Sequence, residues 1–180
     1  MQWSRHSTLI GAFLTLLASE ASLQVPSRNE KREAKVRTEY LKATLDIHVP
    51  TIRPMALKSQ LGDTNLILVD VRQENEQKVS MIPAALTPKE LAIRFRSGFP
   101  PGKRIVTYCT IGYRSGIYAE QLQAKGLPVE NLEGGILGWT HVSGPLVTKD
   151  STGKTVSTHL VHVYASDMRQ WIAMDYQAIW

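Results

Sequence analysis

Continuously apolar runs alternate along this chain with stretches whose apolar residues recur at helical spacing. Two such runs are NLILVDV (residues 65–71) and RIVTY (104–108), in which most positions are apolar, and PVENL (128–132) is a shorter run. Runs of this kind are typical of strands that are buried on both faces of a parallel sheet. Stretches with a helical pattern separate them, at residues 87–95 and 115–126. The alternation predicts an α/β domain with a central parallel sheet flanked by helices.

Capping residues indicate where these helices begin and end. Thr87, Pro88 and Glu90 have the arrangement of a capping box, in which the hydroxyl and the carboxylate each accept a backbone N–H. Ser115 is expected to cap the next helix, and Gly126 is expected to end it. The residues of that helix expected to face the core are Ile117, Tyr118 and Leu122.

The first 25 residues have the layout of a secretory signal. A basic start at Arg5 is followed by an apolar stretch over residues 9–18 and by small residues before a predicted cleavage after Ala21. The apolar stretch is shorter than the roughly 20 residues that a spanning helix needs, so no transmembrane span is predicted. We therefore expect an exported or periplasmic protein. The alternative is an ordinary amphipathic N-terminal helix in a cytoplasmic protein.

Three segments are expected to follow this leader. A charged helix over residues 28–46 is predicted to form a linker of residues 26–49. The α/β domain is expected to span residues 50–147, after which the composition becomes polar and rich in turn residues. Residues 148–180 are predicted to form a C-terminal extension that packs on the domain, with a strand over residues 156–165.

Charge and composition narrow the classes of function. The net charge of +5 is spread thinly along the chain rather than gathered into a basic patch, so no nucleic-acid binding is expected. A mild positive bias instead suits small anionic substrates. The histidines are scattered, and with a single cysteine they provide no set of zinc ligands. We predict neither a metal nor another cofactor.

The stretch RIVTYCTIGYRSG (residues 104–116) contains the only cysteine of the chain, Cys109. One cysteine excludes an intrachain disulfide and leaves a buried inert thiol, an intermolecular bridge or a reactive nucleophile. The position favours a nucleophile, because Cys109 follows a strand and precedes the amino end of a helix, where N–H groups stabilise anions. Gly112 lets the loop turn its N–H groups inward, and Arg114 adds a positive charge. Both features should favour the thiolate.

Loop length separates two chemistries that use such a loop, attack on a phosphate and transfer of sulfur through a cysteine persulfide. Four residues lie between Cys109 and Arg114. Tyrosine-specific and dual-specific phosphatases have a longer loop, and the smaller nest suits a single sulfur atom better than a tetrahedral phosphate. The residues predicted to bind substrate are Thr110, Ile111, Gly112, Tyr113, Arg114 and Ser115.

Four motifs, in their expected order, resemble the signatures of the rhodanese-like domain. They are LILVDVRQENEQ, SMIPAAL, RIVTYCTIGYRSGIYAEQLQAKG and VENLEGGILGW, and the resemblance covers about residues 50–147. It implies an α/β fold with a central parallel sheet. It also implies a sulfurtransferase that passes sulfane sulfur from a small anionic donor such as thiosulfate to a thiol or cyanide acceptor. Cys109 matches the family's reactive cysteine, and Arg114 and Ser115 match its loop arginine and serine.

The chain departs from the family pattern in the segment after the first strand. The family often has Gly-His-Ile-Pro-Gly-Ala where this chain has Ser80, Met81 and Ala84 at the variable positions, and Gln77 stands where an aromatic residue is usual. These positions concern packing and donor access rather than persulfide chemistry. If the protein is exported, its cysteine has no resolving partner within the chain, so a protein thiol partner or a small thiol is expected to keep it functional.

Residues around the loop are predicted to be structural rather than catalytic. Asp70 and Arg72, two apart at a strand end, are expected to form an ion pair that anchors a turn. The turn beside the loop and the short helix after it are expected to contribute shape and packing through Glu133, Gly134, Gly135 and Trp139.

Two alternatives to a sulfurtransferase stay open at this point. One is a non-catalytic or regulatory binding module that keeps the fold, with the C-terminal extension as an interface. The other is a cysteine phosphatase or an arsenate reductase, which the short loop between Cys109 and Arg114 disfavours.

Overall fold

The computed structural model describes residues 25–180. Residues 1–24 of the predicted 25-residue leader, with the predicted cleavage site, lie outside this range. None of the helices in this range has the length and apolar character needed to cross a bilayer. In chain order the elements are α1 (Arg28–Ala43), β1 (Thr51–Ile52), α2 (Pro54–Lys58), β2 (Leu66–Asp70), α3 (Glu74–Val79), α4 (Pro88–Arg94), β3 (Arg104–Tyr108), α5 (Tyr113–Gln123), β4 (Val129–Leu132), α6 (Gly135–Thr140), β5 (Leu146–Lys149), β6 (Thr155–Thr158), β7 (Leu160–His162), a 3₁₀ helix (Ser166–Trp171) and β8 (Gln177–Ile179).

Four parallel strands form the central sheet, in the order β1–β4–β3–β2. The strands β2 and β3 pair over their whole lengths, from Leu66 opposite Arg104 to Asp70 opposite Tyr108. Parallel neighbours need crossover connections, and helices occupy these connections. The predicted α/β fold with a central parallel sheet is confirmed.

Both faces of the sheet are covered, which explains the continuously apolar runs. Leu68 and Val106 pack in one core cluster, while Ile67 and Ile105 pack in a second cluster on the opposite face. Successive side chains of a strand point to opposite faces, so a strand with a core on each side is apolar at consecutive positions rather than at alternate ones.

Capping boxes fix the amino ends of α1 and α4. In α4 the Thr87 hydroxyl accepts the Glu90 N–H, the Glu90 carboxylate accepts the Thr87 N–H, and Pro88 occupies the first helical position, as predicted. In α1 the same two bonds join Ser27 and Glu30. Each box satisfies N–H groups that the first turn of a helix leaves without partners.

The helix α5 begins earlier than predicted. Its N-cap is Gly112 and its first residue is Tyr113, so the expectation that Ser115 caps this helix is wrong. Ser115 and Leu122, two turns apart, lie on the buried face. Ile117 lies on the other side of the helix and is exposed, so the expectation that it faces the core is also wrong.

The helix α1 packs directly on the domain, although residues 26–49 were expected to be a linker. It ends at residue 43 rather than 46, and it buries Val36 and Tyr40. It contacts α6 and the 3₁₀ helix, and the Arg32 guanidinium donates to the carbonyl of Ile172 at 2.9 Å.

The C-terminal extension packs on the domain through two small sheets. β5 and β6 form an antiparallel pair, while β7 and β8 are parallel. The strand predicted over residues 156–165 is divided into β6 and β7 at His159. Trp171 and Ile172 are buried against the main core, and Met81 exchanges two backbone hydrogen bonds with Val147.

Candidate active site

Cys109 directly follows β3, at the edge of the sheet where the carboxyl ends of the parallel strands meet. Its side chain is 1% exposed. The Gly112 N–H donates to Sγ over a distance of 3.1 Å. Within residues 25–180 the Gly112 amide is the one loop N–H that bonds the sulfur. The sequence analysis expected several loop N–H groups to turn toward it.

Neighbouring elements hold the carbonyl groups of the loop. The carbonyls of Cys109 and Thr110 accept the backbone N–H groups of Ile136 and Leu137, in the first turn of α6, at 2.9 and 3.2 Å. A side chain at Gly135 would collide with the same two carbonyl oxygens. The residues Glu133 to Gly135 therefore shape a turn directly beside the loop, as predicted.

A buried pair of polar side chains supports the loop at Gly112. The Ser115 hydroxyl donates to Asn131 Oδ1 at 2.7 Å, and Asn131 Nδ2 donates to the Gly112 carbonyl at 2.9 Å. Ser115 and Asn131 are both fully buried. Ser115 was predicted to bind substrate. In the structure its hydroxyl bonds Asn131, which supports the loop, and this bond connects α5 to β4.

Gly112 occupies a position that excludes a side chain. Its φ of +116° is unfavourable for residues with a Cβ, and a Cβ there would lie 2.5 Å from Cε2 of Tyr40. Tyr40 belongs to α1, so this helix covers the back of the cysteine loop. Burial raises the pKa of Tyr40, and the nearby Glu133 carboxylate raises it further.

Arg114 lies beside the sulfur but is held by a carboxylate. Its two terminal nitrogens donate to Glu76 at 2.7 and 2.9 Å, and Nη2 also donates to Thr110 Oγ1 at 2.9 Å. The bond with Glu76 is the main cause that raises the pKa of Arg114, and interaction with the Cys109 sulfur raises it further. The Arg114 side chain as a whole keeps 30% of its surface exposed.

Glu76 is the strongest acid in this arrangement. Burial favours its neutral form, but the hydrogen bonds from Arg114, the Gln73 backbone and Thr110 outweigh burial and lower its pKa to about 2. The site therefore contains a fixed ion pair next to the thiol, and Arg114 meets a substrate with its charge already partly balanced.

Comparison with known proteins shows which family this chain belongs to. A model of the rhodanese-like domain matches residues 54–141. The Bacillus subtilis protein named "Putative sulfurtransferase YtwF" is 30% identical over 108 residues, which cover 55% of this chain and 98% of that protein. The chain belongs to the rhodanese-like domain family. A tRNA sulfurtransferase of Desulfurococcus amylolyticus is 35% identical over 75 residues, which cover 42% of this chain and 14% of that enzyme.

A solved structure agrees on the fold of this rhodanese-like domain. The thiosulfate sulfurtransferase of Pseudomonas aeruginosa superimposes with a TM-score of 0.53 at 21% identity, over 77% of this chain and 26% of that chain. At this identity the likeness concerns the fold alone.

The other predicted residues of the rhodanese-like domain lie around this centre. Asp70 and Arg72 form a fully buried ion pair with an Nη2–Oδ2 distance of 2.7 Å, as predicted. Trp139 is fully buried, and its Nε1–H donates to the Pro145 carbonyl. Tyr113 is half exposed at the start of α5, while Ile111 is partly buried against the core.

Two residues of the site escaped the sequence analysis although each left a signal. Gln73 and Glu76 have the spacing of a capping box at the start of α3, and the structure shows that box. Asn131 is an uncharged polar residue inside an apolar strand, where a buried amide must find partners. Tyr40 gave no such signal, because it lies on a helix with a charged pattern.

Proposed function

We propose that this protein is a sulfurtransferase that carries sulfane sulfur as a persulfide on Cys109. The observation that carries the proposal is the Gly112 N–H directed at Sγ, in a loop whose carbonyls are bound by α6 and β4. Such a site stabilises negative charge on sulfur and has no need of a metal or another cofactor. Membership in the rhodanese-like family and relatives named as sulfurtransferases support the same chemistry.

Sulfur transfer from a thiosulfate-like donor proceeds in two displacements. The Cys109 thiolate attacks the outer sulfur of the donor, a new S–S bond forms, the S–S bond of the donor breaks, and its electron pair leaves with sulfite. A thiolate or cyanide acceptor then attacks the outer sulfur of the persulfide, and the electron pair returns to Cys109 as thiolate. Charge balances in both steps, and the attack follows the rules of thiol–disulfide exchange.

The loop and Arg114 have separate roles in this proposal. The Gly112 N–H lies within hydrogen-bonding distance of Sγ, which bears the charge in the thiolate before the first displacement and again after the second. Arg114, whose side chain is partly exposed, offers a positive charge to the anionic donor and the departing sulfite. A thiol that is 1% exposed is more accessible to a small donor than to a large one.

Intact-mass measurement tests the proposal directly. After incubation with thiosulfate, the mass of the purified protein should increase by one sulfur atom, and cyanide should remove that mass and release thiocyanate. The single cysteine makes the assignment unique, and Cys109→Ala is the matched control without an adduct. No adduct on the wild type, or equal turnover by Cys109→Ala, would overturn the proposal and favour a non-catalytic binding module.

We also propose export, on the basis of the basic, apolar and small-residue pattern of residues 1–25. In an oxidising compartment a lone reactive thiol needs an external reductant, so a protein thiol partner would accept the sulfur or restore Cys109. The N-terminal sequence of the mature protein tests the export proposal, and an intact Met1 would contradict it.

A further inference from the structure

An exposed tyrosine of the C-terminal extension lies on the loop arginine. The centre of the Tyr164 ring is 5.4 Å from Cζ of Arg114, and Tyr164 is 63% exposed. Tyr164 lies outside the segment that the family model matches, residues 54–141. We propose that Tyr164 is a positioning residue for Arg114, which makes the C-terminal extension part of the anion-recognising side of the Cys109 site. This inference rests on the proposed function, which it deepens.

The backbone around Tyr164 is well anchored. Val161 and Val163 are fully buried, so the alternation of an extended chain turns Tyr164 toward the surface. The Val163 N–H donates to the Ile179 carbonyl at 2.8 Å, which ties this segment to β8. The ring is therefore exposed because the strand pattern directs it outward, and its neighbour there is the guanidinium of Arg114.

The same segment also packs against the helix that carries the other member of the ion pair. β7, which ends two residues before Tyr164, packs against α3, and α3 carries Glu76. Glu76 and Thr110 hold the nitrogen edge of Arg114, while the Tyr164 ring covers the guanidinium from another direction. A long arginine side chain loses much conformational freedom when it is fixed, and an aromatic face reduces the number of alternatives that it can visit.

This arrangement predicts an effect on anion recognition rather than on the sulfur chemistry. Without the ring, Arg114 should spend less time beside the sulfur, so anionic reagents should approach Cys109 less favourably while neutral reagents are unaffected. A cation–π contact at an exposed site corresponds to a change of about two- to fivefold.

Two readouts test the role of Tyr164. In Tyr164→Ala the KM for thiosulfate should rise about two- to fivefold with kcat nearly unchanged. The ratio of the Cys109 alkylation rates with iodoacetate and iodoacetamide should fall by a similar factor, and this ratio needs no sulfur transfer. Tyr164→Phe keeps the ring and should behave as the wild type in both assays.

The chain provides a matched control in the same extension. Trp180 is 64% exposed, and its ring lies 5.3 Å from Cζ of Arg169, so Trp180→Ala removes the same kind of contact from another arginine. Both readouts should stay at the wild-type value in this control. The inference is overturned if Tyr164→Ala leaves the alkylation ratio unchanged, or if Tyr164→Phe or Trp180→Ala lowers it as much.

Failure of the proposed function has a different signature. A wild type that forms no persulfide but shows the expected alkylation ratios would contradict sulfur transfer and still support the role of Tyr164. A wild type that forms the persulfide, with an unchanged KM and alkylation ratio in Tyr164→Ala, would support sulfur transfer and contradict the role of Tyr164.

Discussion

Replacing Glu76 by glutamine removes one charge from the ion pair beside Cys109 and changes the shape of the side chain little. Glu76 accepts the Gln73 N–H at Oε2 and the Thr110 hydroxyl at Oε1, and the single amide oxygen of the glutamine can keep one of these two bonds. What it loses is the negative charge that two nitrogens of Arg114 contact. The substitution therefore removes the charge together with one of the two accepting oxygens, and the pH dependence separates the two effects.

The size of the effect follows from the pKa of Glu76. The lowering from 4.5 to about 2 corresponds to about 3 kcal/mol of native-state stability, at about 1.4 kcal/mol for each pKa unit. Glu76 is 2% exposed, so solvent screens it little. The partial exposure of Arg114 lets water solvate the guanidinium in the variant, so we expect Glu76→Gln to lose about 2–3 kcal/mol at pH 7.

The pH dependence identifies this mechanism. Because the folded pKa is lowered, the carboxylate contributes its full stability above the unfolded value of 4.5, and the contribution is lost as the pH falls from 4.5 toward 2. The unfolding free energies of the wild type and Glu76→Gln should therefore converge over this range in denaturant titrations. Glu74→Gln is the control on the same helix, because Glu74 pairs with Lys78 at the exposed surface and should cost nothing measurable. A difference that is independent of pH, or smaller than about 1 kcal/mol at pH 7, would refute the reasoning.

Two further substitutions test the support of the loop and of the turn before α3. Gly112→Ala should destabilise the protein by about 2–5 kcal/mol, because it combines a positive φ with a collision against Tyr40, and denaturant titration measures the loss. Gly126→Ala has a positive φ but no neighbour within 4 Å, so it should cost only about 1–2 kcal/mol, and equal losses would contradict the role of Tyr40. Asp70→Asn should cost about 3–5 kcal/mol by the same method, since it leaves the fully buried Arg72 without its counterion. A loss below about 1 kcal/mol would show that Arg72 is solvated or repartnered.

The sequence predicts the central strands well because their signal is local. Residues 66–69 are apolar throughout and residues 104–108 are apolar at three of five positions, and burial on both faces of a sheet favours such runs. Thr87 with Glu90 predicts a helix start for the same reason, since both partners of the capping box lie within one turn.

The details of the site depend on contacts between distant parts of the chain, and sequence patterns do not show these. Ser115 has the chemistry of an N-cap, but Asn131 on β4 offers its hydroxyl a partner, and Gly112 begins the helix instead. Arg114 was expected to be available to an anion, yet it pairs with Glu76, 38 residues earlier in the chain. The position of α1 also depends on the fold, because Tyr40 packs against a glycine 72 residues away by number.

The orientation of the cysteine loop is set by its neighbours more than by its own residues. In a trans peptide the carbonyl and the following N–H point in opposite directions. The amino end of α6 binds the carbonyls of Cys109 and Thr110, so the N–H groups of Thr110 and Ile111 must point away from α6. Asn131 fixes the Gly112 carbonyl in the same way. With the carbonyls of Cys109, Thr110 and Gly112 all bound, the loop has few alternative conformations, and the Gly112 N–H is directed at Sγ before any donor binds.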